Sequence, residues 1–305
     1  MNTFKLRNIP IHILLIIGSM VMMYPLLYGL LASFTTPAEY IRSTWIPIPG
    51  SLNFKNYAEL FNPRMIPLIR KSFMVTIFRI VWYIFFTSVS SILLGYIFAR
   101  LRFRGKEAVF LYLLCSMLVP AIVFQVPIYV MMARMPLVGG NTSMGVGGSG
   151  YINQMPSLLL GGLISAYYIF LMRQTFYSIP PDYEEAARLD GANTFQVLLN
   201  VYLPMLSPVL VVIVIGMFVG MWNDYIWPLM VVGGNKELWP VGLLFQRLMA
   251  GAVPILTQTT TTSGQLTNTP LLLTAGTVAT IPPVLCFFLL QRYFIEGMQG
   301  VGIKG

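Results

Sequence analysis

Six apolar runs, each long enough to cross a lipid bilayer, dominate this chain of 305 residues. They cover about residues 9–34, 72–99, 108–132, 157–176, 205–232 and 271–293. A hydrocarbon core of about 30 Å needs roughly 20 apolar residues at a helical rise of 1.5 Å each. Backbone polar groups in lipid must be paired within the protein, so runs of this length predict helices. The sequence therefore predicts an all-α, polytopic membrane protein with six transmembrane helices, forming a single domain over residues 1–305.

The composition excludes an ordinary soluble domain. Hydrophobic residues make up 56% of the chain, charged residues make up only 10%, and the mean hydropathy is +0.74. Soluble domains carry about 25% charged residues. The net charge of +9 is spread over the ends of the apolar runs, whereas a nucleic-acid surface gathers its basic residues on one face. We therefore attribute the positive charge to membrane topology and anionic lipid, and predict no nucleic-acid partner.

Basic residues between the runs predict the orientation in a plasma or inner membrane. The segment RLRFRGK at residues 100–106 holds four cations between the second and third runs, and such residues favour the cytoplasmic side. Lys5 and Arg7 likewise predict a cytoplasmic N-terminus, and six spans then return the C-terminus to the same side. Two nearly uncharged stretches, 137–150 and 257–269, fall in predicted outer loops, and the first is predicted to be flexible.

A polar segment at residues 180–204 separates the fourth and fifth runs, and its pattern predicts two short helices. Pro180 and Pro181 stop any helix from continuing in from upstream. Asp182 and Glu185 have the spacing of an N-cap residue and its reciprocal carboxylate, so the first helix should begin there.

The first helix should end at Gly191, which favours a left-handed C-terminal cap. Asn193 or Thr194 can cap a second helix over Phe195–Tyr202, and Pro204 precedes the next apolar run. The pattern therefore predicts a helix, a glycine turn and a second helix, exposed to water on the cytoplasmic side.

This segment resembles the cytoplasmic signature of permease subunits of binding-protein-dependent ABC importers. That signature reads Glu-Ala-Ala, three residues, Gly, nine residues, Ile, one residue, Leu-Pro. The residues that match it are Glu185, Ala186, Ala187, Gly191, Leu203 and Pro204, with Val201 in place of Ile. The runs VPAIVFQVPIYVMMARM and WNDYIWP also resemble this family, and QRYF with the short Gly-rich end that follows it resembles the carbohydrate-uptake branch. The resemblance covers essentially the whole chain except the two uncharged outer stretches.

The resemblance implies a type I ABC importer permease fold and a role in ATP-driven carbohydrate uptake, with an oligosaccharide as the expected cargo. It is strongest to the second permease of maltose-type systems. The implied partners are a related permease, two ATP-binding subunits and an extracytoplasmic solute-binding protein. The residues implied in coupling to the ATPase are Glu184, Glu185, Ala186, Ala187, Asp190, Gly191, Leu203 and Pro204.

The chain carries no motif for chemistry of its own. It has no Gly-x4-Gly-Lys-Ser/Thr sequence, so it lacks the loop that holds nucleotide phosphates. One histidine and ten acidic residues leave few combinations for a catalytic set or a metal cluster. We therefore predict a non-catalytic subunit without a cofactor or metal, with ATP and Mg²⁺ bound to the partner ATPase.

Four polar residues within or beside the apolar runs are candidates for the translocation pathway. Arg79 lies inside the second run and should face other helices or a wet cavity, or extend towards an interface. Gln125 lies between two prolines that should bend the third run. Asn223 and Asp224 lie near the outer end of the fifth run, where an acid needs a partner or water.

The competing interpretation is an ion-gradient-driven secondary transporter or a channel. Such proteins place their sites at broken helices and commonly repeat their hydropathy pattern in inverted form. Neither feature is clear in this sequence. A membrane scaffold without cargo is compatible with the composition but leaves the segment at residues 180–204 unexplained.

Overall fold

A computed structural model of the chain describes residues 9–43, 45–250 and 268–302. These residues form helices and connecting loops, which confirms the predicted all-α class for the part described. In chain order the helices are α1 (Ile9–Ser33), α2 (Pro37–Arg42), α3 (Lys55–Leu60), α4 (Ile66–Arg100), α5 (Lys106–Cys115), α6 (Ala121–Ala133), α7 (Met155–Leu159), α8 (Ala166–Ser178), α9 (Asp182–Leu189), α10 (Thr194–Gln196), α11 (Leu203–Met205), α12 (Ser207–Asn223), α13 (Ile226–Val232), α14 (Val241–Met249) and α15 (Thr269–Gly302). The predicted N-terminal cations, Lys304 and most of the stretch 257–269 lie outside the described residues.

Three of the described helices are long and apolar enough to cross a membrane: Pro10–Ser33, Ile66–Arg100 and Thr269–Gln291. Two bent pairs pass the same test, which raises the number of candidate spans to five. Lys106–Leu118 and Ala121–Ala133 meet at 100°, and Thr194–Met205 and Ser207–Asn223 meet at 75°. The bend in the third predicted span follows Val119 and coincides with Pro120, as its prolines predict.

The fourth predicted span, 157–176, is divided into α7 and α8 by a stretch of non-helical backbone. Gly162 has a φ of +79° within this break. Side chains of α4 donate hydrogen bonds to the carbonyl oxygens that the break leaves free. Trp82 Nε1 donates to the oxygen of Leu159 at 3.0 Å, and the Tyr83 hydroxyl donates to the oxygen of Gly161. The break is therefore stabilised by donors from a distant part of the sequence, which the hydropathy pattern does not reveal.

The chain forms two compact units, Met1–Arg70 with Leu244–Pro282 and Lys71–Leu243 with Pro283–Gly305. In the first, buried polar groups join α1, α3 and α15. The carbonyl oxygen of Ser33 accepts from Asn56 Nδ2 at 2.9 Å and from Thr274 Oγ1 at 3.2 Å. A small apolar cluster of Leu60, Leu271 and Ala275 packs beside these bonds.

The core of the second unit lies between α4, α8, α12 and the segment at residues 180–204. Its buried members include Tyr96, Met172, Phe176, Tyr202, Leu206 and Ile213. α4 and α8 approach closely at Gly95, where a β-carbon would lie 2.7 Å from Met172 Cγ. A side chain larger than hydrogen at this position would force the two helices apart.

The basic loop at residues 100–106 also has a structural role. Arg100 Nη2 donates to the carbonyl oxygens of Phe176 at 2.9 Å and Ile179 at 2.6 Å. These carbonyls lie at the C-terminal end of α8, where helical partners are missing and a cation is favourable. Arg100 therefore fixes the backbone just before the segment at residues 180–204. The loop also carries the positive charge on which the predicted topology rests.

The stretch 137–150 is a tightly folded loop, in contrast to the flexible loop predicted from its composition. Asn141 is buried at its centre, and its Nδ2 donates to the carbonyl oxygens of Ala133 at 2.9 Å and Met135 at 3.0 Å. Its Oδ1 accepts from the backbone nitrogen of Gly148 at 2.8 Å. Glycines in this stretch let backbone segments of the loop lie in direct contact, where a β-carbon would not fit. They therefore serve close packing as well as backbone conformational freedom.

Candidate functional site

The segment at residues 180–204 begins with α9, an eight-residue helix. Pro181 occupies its N-cap position without a side-chain hydrogen bond, and the predicted capping role of Asp182 and Glu185 is therefore wrong. The helix begins one residue earlier than that role required. Asp182, Glu184 and Glu185 instead fill its first turn, where carboxylates are stabilised by the helix dipole.

The predicted left-handed turn at Gly191 is confirmed. Gly191 has a φ of +86°, and its backbone nitrogen donates to the carbonyl oxygen of Arg188 at 3.0 Å. The backbone nitrogen of Ala192 donates to Ala187 at 3.0 Å. These two bonds form a Schellman motif, which ends α9 and satisfies its last carbonyls.

Asn193 caps the second helix, as one of the two predicted alternatives. Its Oδ1 accepts from the backbone nitrogen of Gln196 at 2.9 Å, and Gln196 Oε1 accepts from the Asn193 nitrogen at 2.8 Å. The helix widens to π geometry over Val197–Tyr202, a feature that the sequence does not predict. Val197, Leu198 and Tyr202 are buried, so this half of the segment belongs to the core.

Glu184 connects the segment to the rest of the second unit. Its Oε1 accepts from Arg188 Nη2 at 2.8 Å and from the Tyr96 hydroxyl at 3.1 Å. Its Oε2 accepts from the Tyr202 hydroxyl at 2.7 Å, and its side chain is only 14% exposed. Helix α4, helix α9 and the π-helical stretch therefore meet at one carboxylate.

The bonds to Glu184 have an electrostatic consequence. Burial alone would raise the pKa of this carboxyl, but hydrogen bonds from Tyr202, Arg188 and Tyr96 outweigh burial and lower the pKa from its ordinary value of 4.5. Glu184 is therefore ionised at neutral pH and accepts charge-assisted hydrogen bonds.

The resemblance implied that Glu184 couples to a partner, whereas the structure directs its side chain inward. The one available signal is the spacing of Glu184 and Arg188, which lie four residues apart on a helix and can form a local ion pair. The contributions of Tyr96 and Tyr202 were not predicted, since hydroxyl groups in apolar stretches have no distinctive pattern.

The outer surface of the segment is partly apolar. Leu189 is 89% exposed, Phe195 and Tyr183 are exposed, and Glu185 and Asp190 lie on the solvent side. Exposed apolar side chains next to a buried base are typical of a protein-binding surface. We call residues 182–196 the coupling tip.

A second candidate site lies around Arg79 in α4. The Arg79 side chain is only 1% exposed, and its Nη2 donates to Asp224 Oδ2 at 2.8 Å. Asp224 follows the end of α12, in the short break before α13. Arg79 therefore faces another helix, as one of its predicted alternatives, and Asp224 has a charged partner, as one of its own.

These two residues line a cavity of about 470 Å³ in the second unit. The lining residues are Arg79, Tyr83, Ala121, Phe124, Gln125, Ile128, Gly161, Gly162, Ile164, Met221, Asp224 and Trp227. The structure therefore brings together three of the four predicted pathway residues, Arg79, Gln125 and Asp224. Asn223 is not in the lining: it is exposed, and its Nδ2 donates to the carbonyl oxygen of Val219 at 2.9 Å.

Comparison with known proteins reveals relatives along nearly the whole chain. An arabinooligosaccharide transport system permease protein, AraQ of Halalkalibacterium halodurans, is 27% identical over 288 residues, covering 92% of this chain and 91% of the relative. The lactose transport system permease protein LacG of Rhizobium radiobacter is 25% identical over 296 residues, covering 97% of this chain and 96% of the relative.

A solved chain from a bacterial ABC transporter involved in the import of the acidic polysaccharide alginate has the same fold. Its TM-score is 0.75 at 22% identity, and the match covers 96% of this chain and 100% of that one. Residues 91–300 match a family described as the inner membrane component of binding-protein-dependent transport systems. Since this match extends over more than half of the sequence, the protein belongs to that family of multi-pass, non-catalytic membrane permeases.

Proposed function

We propose that this chain is a permease subunit of an ATP-driven carbohydrate importer and forms half of its translocation pathway. The relatives named for arabinooligosaccharides and lactose support a carbohydrate cargo, with an oligosaccharide as first choice. A second related permease, two ATP-binding subunits and an extracytoplasmic binding protein complete the proposed assembly. ATP and Mg²⁺ bind to the ATP-binding subunits, and this chain holds no cofactor.

The observation that carries this proposal is the geometry of the coupling tip. Its exposed face presents Leu189, Glu185 and Asp190, and its inner face holds Glu184 within the core. An apolar contact region with acidic residues beside it suits a cleft in an ATP-binding subunit. Movement of that cleft would reach α4 through the bond between Glu184 and Tyr96.

We assign the coupling residues to two groups within this assembly. The exposed group, Glu185, Ala186, Asp190 and Gly191, lies where it can meet the ATPase. The remaining predicted coupling residues are Glu184, Ala187, Leu203 and Pro204. They connect the tip to the membrane helices, with Ala187 packed against the core cluster.

Uptake should require ATP and should not require an ion gradient. The complex co-purified through a tag on this chain is reconstituted in proteoliposomes with its binding protein, and uptake of labelled arabinotriose and lactose is measured. We expect uptake to require ATP on the side of the membrane that carries the ATPase. Uptake should persist after an ionophore collapses ion gradients. Uptake that disappears with the ionophore and ignores ATP would instead support a secondary transporter.

Labelling should place the coupling tip and the basic loop on the cytoplasmic side. In a chain whose two native cysteines are replaced by serine, single cysteines at Lys106 and Asn193 should react only with reagent supplied from the cytoplasm. Single cysteines at Asn53 and Ser149 should react only from outside. Each variant is also labelled after membrane permeabilisation to show that its thiol is reactive. A reversed pattern at any of the four positions contradicts the proposed topology.

A further inference from the structure

The cavity beside Arg79 has the size and mixed lining of a small-molecule site. Its volume of about 470 Å³ lies within the range of roughly 300–1,000 Å³ that such sites occupy. Tyr83, Phe124 and Trp227 provide aromatic surface, while Arg79, Gln125 and Asp224 provide polar groups. A ligand with apolar C–H faces and several hydrogen-bonding groups would match both parts of the lining.

Polar atoms in the lining lack partners within the described part of the chain. Arg79 Nε and Nη1 are buried donors without an acceptor, and Gln125 Oε1 is a buried acceptor without a donor. Buried polar groups without partners are costly, so this arrangement favours a ligand that can donate and accept. A hydroxyl group does both.

The charge of the cavity is balanced internally. Asp224 Oδ2 lies 2.8 Å from Arg79 Nη2 and compensates the single positive charge in the lining. Asp224 keeps 19% of its side chain exposed, so an anionic ligand at the free donors of Arg79 would meet a carboxylate nearby. The charge balance therefore disfavours carboxylated or phosphorylated sugars and favours an uncharged one.

Irregular backbone also borders the cavity. Gly161 and Gly162 lie in the break between α7 and α8, and Asp224 lies in the break between α12 and α13. Within a membrane, non-helical backbone is tolerated where it is buried in protein or lines a cavity. Two breaks, from segments about 60 residues apart, therefore meet at this one cavity.

We infer that this cavity is a binding site for an uncharged polyhydroxyl ligand, in which Arg79 and Gln125 bind sugar hydroxyls and the Arg79–Asp224 pair excludes anionic sugars. This inference rests on the proposed role in carbohydrate uptake and adds a position and a charge selectivity to it. Sugar C–H faces would pack on the aromatic part of the lining, with Phe124 exposed at the side contributed by α6.

The test measures direct binding to the purified importer complex without its binding protein. Saturation-transfer NMR in detergent detects weak binding of neutral arabinotriose and lactose and of carboxylated trigalacturonate. We expect both neutral sugars to bind and trigalacturonate to bind at least tenfold more weakly. Gln125→Leu, which preserves volume and removes the amide, should weaken binding of the neutral sugars about tenfold.

The control is Asn223→Leu, which removes an amide beside Asp224 but outside the lining, and it should bind the neutral sugars like wild type. Equal binding of trigalacturonate and the neutral sugars would overturn the charge selectivity. Wild-type binding by Gln125→Leu would overturn the site. If Gln125→Leu neither binds sugar nor assembles normally, the cavity holds a side chain of the second permease and the inference is wrong.

Uptake by the complete system separates this inference from the proposed function. If labelled arabinotriose or lactose enters proteoliposomes with ATP but neither binds the complex, the cavity inference alone is wrong. If the complete system carries no carbohydrate at all, the proposed function is wrong. Sugar binding by the isolated complex would then be unrelated to transport.

Discussion

Gly191→Val and Glu185→Lys should abolish association with the ATP-binding subunit while the chain still inserts into the membrane at near-normal levels. Gly191 has a φ of +86°, and a β-carbon there meets no atom within 4 Å. The expected damage is therefore conformational: a β-branched residue disfavours the left-handed turn by about 1 kcal/mol or more and changes the angle between the two halves of the tip.

Glu185→Lys should act through charge. Glu185 lies exposed in the first turn of α9, where a cation opposes the helix dipole by about 0.3–1 kcal/mol. That cost is too small to unfold the chain, so lost association would report contact with the partner. The measurement is pull-down of the ATPase and uptake of labelled sugar, each normalised to the amount of membrane-inserted chain.

Thr194→Ala is the matched control, because the cap of the second helix is Asn193. It should leave association and uptake near wild type, whereas Asn193→Ala should cost about 1 kcal/mol of local stability. If Gly191→Val and Glu185→Lys both bind the ATPase and transport normally, the tip is an ordinary surface loop.

Glu184→Ala should separate ATP hydrolysis from uptake. It leaves the hydroxyls of Tyr96 and Tyr202 without their carboxylate, a loss of roughly 1.5–3 kcal/mol for a hydrogen bond to a charged group. The exposed face of the tip remains, so the ATPase should still bind, but less uptake should accompany each ATP hydrolysed. Because the pKa is lowered, the stabilisation by Glu184 is complete above about pH 4.5 and is lost only as the pH falls through the lowered value. The defect should therefore be constant between pH 6 and 8.

The second large effect concerns the Arg79–Asp224 pair. Asp224→Ala leaves the guanidinium of Arg79, which is 1% exposed, without its carboxylate. Breaking a buried ion pair in this way costs about 3–5 kcal/mol. We expect a large fall in the thermal stability of the purified complex in detergent, measured by fluorescence-detected size exclusion after heating.

Two comparisons test the cause of that fall. The double variant Arg79→Met with Asp224→Leu removes both charges and should regain most of the lost stability, since apolar replacements of similar volume can substitute for a buried pair. The pair of Lys71 and Glu237 also starts on α4, but its side chains are 44% and 65% exposed. Lys71→Met should change stability by no more than about 1 kcal/mol. Equal effects of Asp224→Ala and Lys71→Met would contradict a buried, structurally important pair.

Several local features could be predicted from the sequence alone, although the start of α9 and the π geometry of residues 197–202 could not. The turn at Gly191 and the cap at Asn193 depend on residues within five positions of each other, and both were predictable from side-chain chemistry. The long helices α1, α4 and α15 follow from apolar length, because a bilayer leaves few alternatives to a helix. The match to the coupling signature likewise lies within one continuous segment.

Tertiary structure decided the features that depend on distant residues. Arg79 and Asp224 are 145 positions apart, and each needed a partner that no local pattern identifies. Glu184 turns inward because Tyr96 and Tyr202 lie beside it in the folded core, whereas Glu185 one position later remains exposed. The break between α7 and α8 is possible because α4 supplies donors to its free carbonyls. Apolar length and local caps specify helices and turns, but pairing of buried polar groups depends on which helices meet.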